Sequence, residues 1–248
     1  MPIRNLHPLP GTLSDEAAVF TEPLAAACEI LQQVHVRPTD RAVVLGDGKL
    51  GLLCAQVLAL TGCDLTVVGH HQEKLDVLAR RGIAAALADE AVETGADLVV
   101  EATGHPAGYA AARRLVRPRG TVVLKSTYHG PVEADLTMAV VDEVTLVGSR
   151  CGPFAPALRL LERRLVDVMP LIQARYPLSE ALTAFEHAAR PGTLKVLVDL
   201  PLLPPLGIRL IIAWWDDPAD EAPWVRSLGH PCLTFDFRRA VLWPVKRS

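Results

Sequence analysis

The sequence predicts an α/β protein built on a doubly wound parallel sheet. Short apolar runs rich in β-branched residues alternate with helical patterns through the middle of the 248-residue chain. A glycine pattern also lies where the first run ends and the first helix begins. Continuous apolar runs are typical of strands that are buried on both faces of a parallel sheet. Repeated strand–helix units of this kind place helices on both sides of one sheet.

Five apolar runs, each short and bounded by glycine or a charged residue, predict the strands Ala42–Leu45, Leu65–Val68, Asp97–Val100, Thr121–Leu124 and Val144–Val147. Helical periodicity predicts three helices between them, at Leu50–Leu60, Gln72–Arg81 and Pro106–Val116. Gly62, Gly82 and Gly120 follow these helices. Because glycine commonly ends a helix in the left-handed conformation, the three glycines are predicted to be C-terminal caps.

Composition limits the kinds of partner. The formal net charge is −3, and no run of five lysines and arginines occurs, which argues against nucleic acid. Residues 196–215 are apolar but contain Asp199, Arg209 and three prolines, so they do not predict a membrane span. None of the five cysteines forms a C-x-x-C pair, and no secretory signal is recognisable at the N-terminus. We therefore expect reduced thiols in a cytoplasmic protein.

The first predicted strand leads into a G-x-G-x-x-G pattern formed by Gly46, Gly48 and Gly51. This context, a strand before the glycines and a helix after them, favours a dinucleotide-binding turn. The helix N-terminus would offer N–H groups and a partial positive charge to the pyrophosphate. A plain glycine turn remains the alternative. The loop residues expected to contact the cofactor are Gly46, Asp47, Gly48, Lys49, Leu50 and Gly51.

The end of the second predicted strand bears on which dinucleotide is bound. NAD-binding proteins of this fold use an acidic residue there to bind the ribose 2′-hydroxyl, whereas this chain has Gly69. A small residue leaves room for a 2′-phosphate, whose charge His70, His71 and Lys74 could meet. The sequence therefore favours NADP over NAD, and solvated loop residues are the alternative for these three side chains.

Several segments in order resemble the second half of a zinc-type medium-chain alcohol dehydrogenase, near the sorbitol and threonine dehydrogenase branch. The resemblance covers about residues 6–200 and implies a Rossmann sheet with remnants of a GroES-like catalytic domain at both ends. The segments that carry it are Phe20–Leu24, Val43–Leu45 with the glycine loop, Glu101–Gly104, Arg117–Thr121, Gly148–Arg150, Pro170–Ile172, Tyr176–Leu178, Glu180–Ala181 and Ala184–Glu186.

The resemblance implies roles for residues at matching positions. Glu22 matches a glutamate that reaches the catalytic zinc or its water in polyol dehydrogenases, although a residue of a helix N-terminus is the alternative. Thr103 and Gly104 match a turn beside the nicotinamide ribose, and a helix cap is the alternative role for Thr103. Lys125 and Ser126 lie where the chain passes the nicotinamide ring, and Lys125 replaces a smaller residue. Arg150 matches an arginine near the cofactor and active site in the polyol branch, and a surface arginine after a strand is the alternative.

The resemblance also predicts the organisation of the chain. Residues 1–24 resemble the end of a truncated catalytic domain, 25–169 the dinucleotide-binding domain, and 170–200 the return of the chain to the catalytic domain. The zinc-binding cysteine and His-Glu pair of the family have no counterpart here. Residues 201–248 hold all four tryptophans and seven prolines. A foreign segment, a shifted reading frame and a lineage-specific extension are all open for this tail.

The expected function is that of an NAD(P)-dependent oxidoreductase that moves a hydride between an alcohol or polyol and nicotinamide. Zinc would act as a Lewis acid in the full-length family. Three alternatives stay open: a zinc-free quinone reductase, a non-catalytic dinucleotide-binding module, and, less favoured by the later segments, a methyltransferase. A homo-oligomer is also possible.

Overall fold

The computed structural model describes residues 6–90, 92–127 and 132–200, together with the backbone of three short strands in the tail. Contacts divide the chain into two compact units, Ala26–Gly152 and a second unit that combines Met1–Ala25 with Pro153–Ser248. The four segments into which the sequence analysis divides the chain remain predictions. All four tryptophans of the tail lie outside the described residues.

The unit Ala26–Gly152 is built on a six-stranded sheet in which all the pairings are parallel. Its strands are β2 Arg41–Leu45, β3 Asp64–Gly69, β4 Ala84–Leu87, β5 Ala96–Glu101, β6 Val116–Leu124 and β7 Thr145–Gly148. Their spatial order is β4-β3-β2-β5-β6-β7. This is the doubly wound order in which the chain builds one half of the sheet outward and then returns to build the other.

Helices lie in the connections that follow β2, β3, β5 and β6, as is usual for the crossovers of a parallel sheet. They are α3 Lys49–Ala59, α4 Gln72–Ala79, α5 Ala107–Leu115 and α6 Leu136–Val141. The five predicted strands and three predicted helices are confirmed, whereas β4 and α6 had no prediction. Helix α3 is apolar nearly all round, and its residues from Gly51 to Leu58 are buried. This burial fixes the helix whose first turn follows the glycine loop.

Two of the three predicted glycine caps are confirmed. Gly62 and Gly82 have φ angles of 77° and 72°, in the left-handed region. The prediction for Gly120 is wrong, because α5 ends at Leu115 and the chain continues directly into β6. A side chain at Gly120 would lie 2.6 Å from Val116 Cγ2 and 3.1 Å from the Asp97 carbonyl oxygen, so close packing requires glycine there.

The second unit contains α1 Asp15–Ala18, α7 Phe154–Glu162 and α8 Ala181–Ala188, and helix α2 Thr21–Gln33 begins in it. Strands β8 Ile172–Pro177 and β9 Lys195–Asp199 pair in parallel. Strand β1 Leu6–Pro8 pairs with tail strand β10 Leu210–Ile212, and tail strands β11 Phe235–Asp236 and β12 Arg239–Val241 extend the sheet next to β9. Lys195 is buried in this unit, with its ammonium 5.2 Å from the centre of the Phe20 ring.

Two sequence-based expectations concern the whole chain. No helix among the described residues is long and apolar enough to cross a membrane. Within the described ranges, Cys28, Cys54, Cys63 and Cys151 form no disulfide bond, and Cys232 lies outside those ranges. The cytoplasmic location stays a prediction.

Candidate dinucleotide site

The glycine loop lies at the carboxyl edge of the six-stranded sheet, between β2 and β5. From these two neighbouring strands the chain extends the sheet in opposite directions. Strands β2 and β5 are neighbours there, and their connections continue to opposite halves of the sheet. Gly46 follows β2, and Ala102 follows β5. A crevice at such a reversal is the usual ligand site of open parallel sheets. The loops after β2, β3, β5 and β6 all reach this edge.

Two of the three motif glycines are required by contacts within the protein. Gly46 has a φ of 114°, and a side chain there would approach the Ala102 carbonyl oxygen to 2.6 Å. A side chain at Gly51 would overlap the Gly46 carbonyl group. The loop and the first turn of α3 are therefore in contact at backbone level, which no other residue type allows.

Gly48 differs from the other two, because no atom of the described residues, apart from its neighbours in the chain, lies within 4 Å of where its side chain would begin. It is extended, with φ −69° and ψ 169°, and immediately precedes α3. Neither backbone conformation nor packing therefore requires glycine at this position. Lys49 and Leu50 follow in the first turn and are half-buried. An open surface next to the N-terminus of a helix is suited to an anion that must approach the backbone closely.

Asp47, between the first two glycines, connects the glycine loop to the end of β3. Its Oδ2 atom accepts hydrogen bonds from the backbone N–H groups of His70, at 2.6 Å, and His71, at 2.7 Å. The Nδ1 atom of the His71 ring lies 2.9 Å from the same oxygen. The carboxylate is largely buried. Two loops separated by more than twenty residues are thus held together by one side chain.

The pKa of Asp47 is lowered from the ordinary value of 3.8. Burial opposes this shift, because it disfavours the charged carboxylate. The hydrogen bonds from the His71 ring and from the two backbone N–H groups outweigh burial, because they stabilise the ionised form. Asp47 therefore carries a negative charge at neutral pH.

The surroundings of Gly69 differ from those that its sequence position suggests. Asp47 occupies the space for a side chain there, with its Cβ 2.6 Å and its Oδ2 2.7 Å from the point where a Gly69 side chain would begin. Of the three cationic candidates, His70 and His71 are exposed, whereas Lys74 is only 7% exposed. His70, Leu87, Ala88 and Asp89 line a cavity of about 390 Å³ beyond the end of β3.

The turn after β5 is held by Glu101, which is fully buried at the end of that strand. Its Oε1 atom accepts hydrogen bonds from the Thr103 N–H, at 2.8 Å, and the Thr103 hydroxyl, at 2.6 Å. The N–H of Gly104 donates to Ser126 Oγ, at 2.8 Å, and so joins this turn to the one after β6. Thr103 is not a helix cap, because Pro106 occupies the cap position of α5.

Lys125 directs its ammonium group into the protein. The Nζ atom donates to the Ala26 carbonyl oxygen, at 2.7 Å, and to Ser149 Oγ, at 3.0 Å. Cys54 is buried nearby, and burial raises the pKa of its thiol to about 12, although the positive charge of Lys125 acts in the opposite direction. Arg150 follows Ser149 and is exposed. The assignment of Lys125 and Arg150 as cofactor contacts remains a prediction.

The described residues do not fit a catalytic zinc ion. An open zinc site needs three protein ligands. Within the described ranges, no three His, Cys, Asp or Glu side chains lie close enough together to hold one metal ion. Glu22 is half-buried in the first turn of α2 and belongs to no such group there. The role of Glu22 as a zinc ligand remains a prediction, because the described residues do not supply a full set of ligands with it.

Sequence reasoning missed the supporting role of Glu101 and the contribution of Asp89 to the cavity. A signal for Glu101 was present, because a charged residue ends an otherwise apolar buried strand. Gly108 was a second signal, since a side chain there would overlap the Glu101 carboxylate and the Thr103 hydroxyl. Asp89 follows β4, a strand without an apolar β-branched run, so nothing in the sequence pointed to it.

The six-stranded parallel sheet and the glycine loop at its carboxyl edge define a Rossmann-like α/β protein. Sequence comparisons show which family of such proteins the chain resembles. Residues 50–163 match the zinc-binding dehydrogenase family. A protein described as a D-xylulose reductase of Rhizobium meliloti is 30% identical over 209 residues, which cover 78% of this chain and 60% of that protein. Sorbitol dehydrogenase of Halalkalibacterium halodurans is 29% identical, over 78% of this chain and 62% of that enzyme.

Comparison with solved structures points to the same kind of protein as the sequence relatives. A zinc-binding dehydrogenase from Sinorhizobium meliloti 1021, bound to NADP, superposes with a TM-score of 0.69 and 25% identity, covering 77% of this chain and 61% of that one. These matches support a likeness between this chain and the C-terminal half of the zinc-type medium-chain alcohol dehydrogenases. The chain spans about 60% of the length of the curated relatives it matches.

Proposed function

We propose that the carboxyl edge of the six-stranded sheet binds the dinucleotide NAD or NADP. The observation that carries this proposal is Gly48, where the protein itself leaves open the space that a side chain would fill. Close contacts within the protein require glycine at Gly46 and Gly51, whereas no contact with the described residues requires it at Gly48. A pyrophosphate that approaches the backbone before α3 supplies that reason.

We propose further that the whole protein is an oxidoreductase that transfers a hydride between an alcohol or polyol and the nicotinamide ring. The named relatives, a D-xylulose reductase and a sorbitol dehydrogenase, support this class of substrate. The residues of this chain would bind and orient the cofactor, with the loop at Gly48 receiving the pyrophosphate. The turns at Thr103 and Ser126, which are hydrogen-bonded through Gly104, would lie beside the nicotinamide end.

The experiment that tests dinucleotide binding is the Gly48→Val substitution. We expect a folded protein whose affinity for NADH and NADPH falls by roughly a hundredfold or more, because the new side chain would occupy the pyrophosphate position. Calorimetric titration measures the affinity, and circular dichroism measures folding.

Gly11→Val is the matched control, because Gly11 also has open space around it and lies in the other unit. It should leave cofactor affinity unchanged. If Gly48→Val binds both cofactors as the unaltered protein does, the loop is a structural turn and the proposal is wrong.

A second candidate function is that of a dinucleotide-binding module without catalysis of its own. It is favoured by the lack, within the described ranges, of three grouped side chains that could hold zinc. An assay with zinc, each cofactor and a panel of alcohols and polyols separates the two candidates. Zinc-dependent formation of reduced cofactor would exclude the non-catalytic module, whereas cofactor binding without turnover would support it. The homo-oligomer stays a prediction.

A further inference from the structure

We infer that Asp47 is the residue that selects the cofactor, and that it favours NAD over NADP. The inference rests on the proposed dinucleotide function and reverses the preference that Gly69 alone predicts. Its basis is a juxtaposition of the glycine loop and the end of β3 that the sequence does not reveal.

The first step is the position of the carboxylate. In NAD-binding proteins of this fold, an acidic residue near the end of the second strand binds the ribose 2′-hydroxyl. In the six-stranded sheet the second strand in chain order is β3, which ends at Gly69. The Asp47 side chain fills the space next to Gly69, with Oδ2 2.7 Å from where a Gly69 side chain would begin. A carboxylate thus lies at the end of β3, although it comes from the glycine loop.

The second step is the direction of its hydrogen bonds. Among the described residues, the hydrogen bonds to Asp47 all end on Oδ2, from the two histidine N–H groups and the His71 ring. Oδ1 is therefore left to accept a hydrogen bond from a ligand hydroxyl. A carboxylate that is held through one oxygen and keeps the acceptor capacity of the other is suited to bind a ribose 2′-hydroxyl.

The negative charge around the proposed ribose position also bears on the choice of cofactor. Asp47 is ionised at neutral pH, and Asp89 lines the adjoining cavity together with His70. A 2′-phosphate would bring a further negative charge next to these carboxylates. Of the three candidate cations, the Nδ1 atom of His71 already contacts Asp47 and Lys74 is buried, so His70 is the one left in the cavity to offset the added charge. Repulsion between like charges at close range therefore opposes NADP.

The experiment uses ligand pairs that differ only in the 2′-phosphate: NADH against NADPH, and AMP against 2′,5′-ADP. Calorimetric titration of the full chain should give tighter binding of the unphosphorylated member of each pair, by roughly tenfold or more. Asp47→Asn removes the charge but keeps an oxygen that accepts hydrogen bonds from the His70 and His71 N–H groups. It should reduce the preference to about twofold or reverse it.

Asp64→Asn is the matched control, because it removes an exposed aspartate from the opposite end of β3. It should leave the ratio of affinities unchanged. A merely structural Asp47 would weaken both members of a pair equally in the Asp47→Asn variant, and an unchanged ratio there would overturn the inference.

The unaltered protein tests the inference even if Asp47→Asn does not fold. Equal or tighter binding of NADPH and of 2′,5′-ADP overturns the selection by Asp47 and leaves the dinucleotide function standing. Failure to bind any of the four ligands contradicts the dinucleotide function, and the inference falls with it.

Discussion

The two edges of the six-stranded sheet are held together by different chemistry. At the amino edge, arginine side chains make the connections: Arg41 donates to the carbonyl oxygens of Thr94, at 2.7 Å, and Gly95, at 3.0 Å. Asp97 accepts from Arg117 Nε, at 2.6 Å, and from the Arg41 N–H, at 2.8 Å. At the carboxyl edge, Asp47 is held largely by backbone N–H groups and Glu101 by Thr103.

This difference separates stability from ligand binding. At the amino edge, arginine side chains hydrogen-bond to the backbone of the loops and to Asp97. The carboxyl edge uses glycine, short hydroxyl side chains and backbone donors, so its loops pack closely while the surface at Gly48 stays open. The comparison predicts that changes at the amino edge reduce stability without altering cofactor affinity. Four measurements test it, from the largest expected effect to the smallest.

The largest effect is expected for Gly51→Ala. Alanine normally stabilises a helix interior by about 0.5–1 kcal/mol relative to glycine. Here the new methyl group would overlap the Gly46 carbonyl, and we expect a loss of roughly 3 kcal/mol or more in the free energy of unfolding. Urea denaturation measures it. Gly148→Ala, at a position with open space in the same unit, should change stability little. A stabilised Gly51→Ala variant would show that the loop does not contact α3.

At the amino edge, Asp97→Asn should reduce the free energy of unfolding by about 1–3 kcal/mol, because it weakens the charge-assisted hydrogen bond from Arg117. Affinity for NADH should stay within about twofold of the unaltered value. Asp47→Asn provides the comparison, since it is expected to alter the ratio of cofactor affinities. A large change in affinity for Asp97→Asn would break the proposed division between the two edges.

Stability should also fall in acid, and both edges should contribute. Hydrogen bonds lower the pKa values of Asp47 and Asp97 below the ordinary 3.8. A group with a lowered folded-state pKa stabilises the protein above its unfolded pKa, and this contribution is lost as the pH falls through the folded value. The free energy of unfolding should therefore begin to decrease near pH 3.8 and continue to decrease below it. Each Asp→Asn variant should show a shallower acid slope, and an unchanged slope in both would contradict these pKa shifts.

The smallest effect is expected for Ser126→Ala, which removes the hydroxyl that accepts from the Gly104 N–H. One hydrogen bond of this kind contributes about 0.5–1.5 kcal/mol. We expect a decrease in stability in the lower part of that range and a few-fold loss of NADH affinity. Ser126→Thr retains the hydroxyl and is the control. Equal affinity in the alanine variant would show that the turn at Gly104 is positioned without Ser126.

The fold can be predicted largely from local pattern. Buried parallel strands appear as apolar runs, so the predicted bounds of β2, β3 and β5 agree with the structure to within two residues. Strand β4 escapes prediction because its sequence, Ala84–Leu87, has no β-branched residue. The cap predicted at Gly120 is wrong because packing against Val116, not helix termination, requires glycine there.

The site can be predicted only in outline. The glycine loop is recognisable because its spacing and context are local. The role of Asp47 is not, because it depends on a contact with His70 and His71 across more than twenty residues. For the same reason, the sequence predicts open space next to Gly69, whereas in the folded chain the Asp47 carboxylate fills that space.

The hydrogen bonds of Asp47 have a further consequence for the thermodynamics of association. They join the loop proposed to receive the pyrophosphate to the turn proposed to receive the ribose before any ligand arrives. The conformational entropy of ordering these two segments is then lost during folding and not during binding. The protein should consequently bind with a small unfavourable entropy of loop ordering. Release of the Asp47 contacts would weaken even a ligand that lacks a ribose, such as pyrophosphate itself.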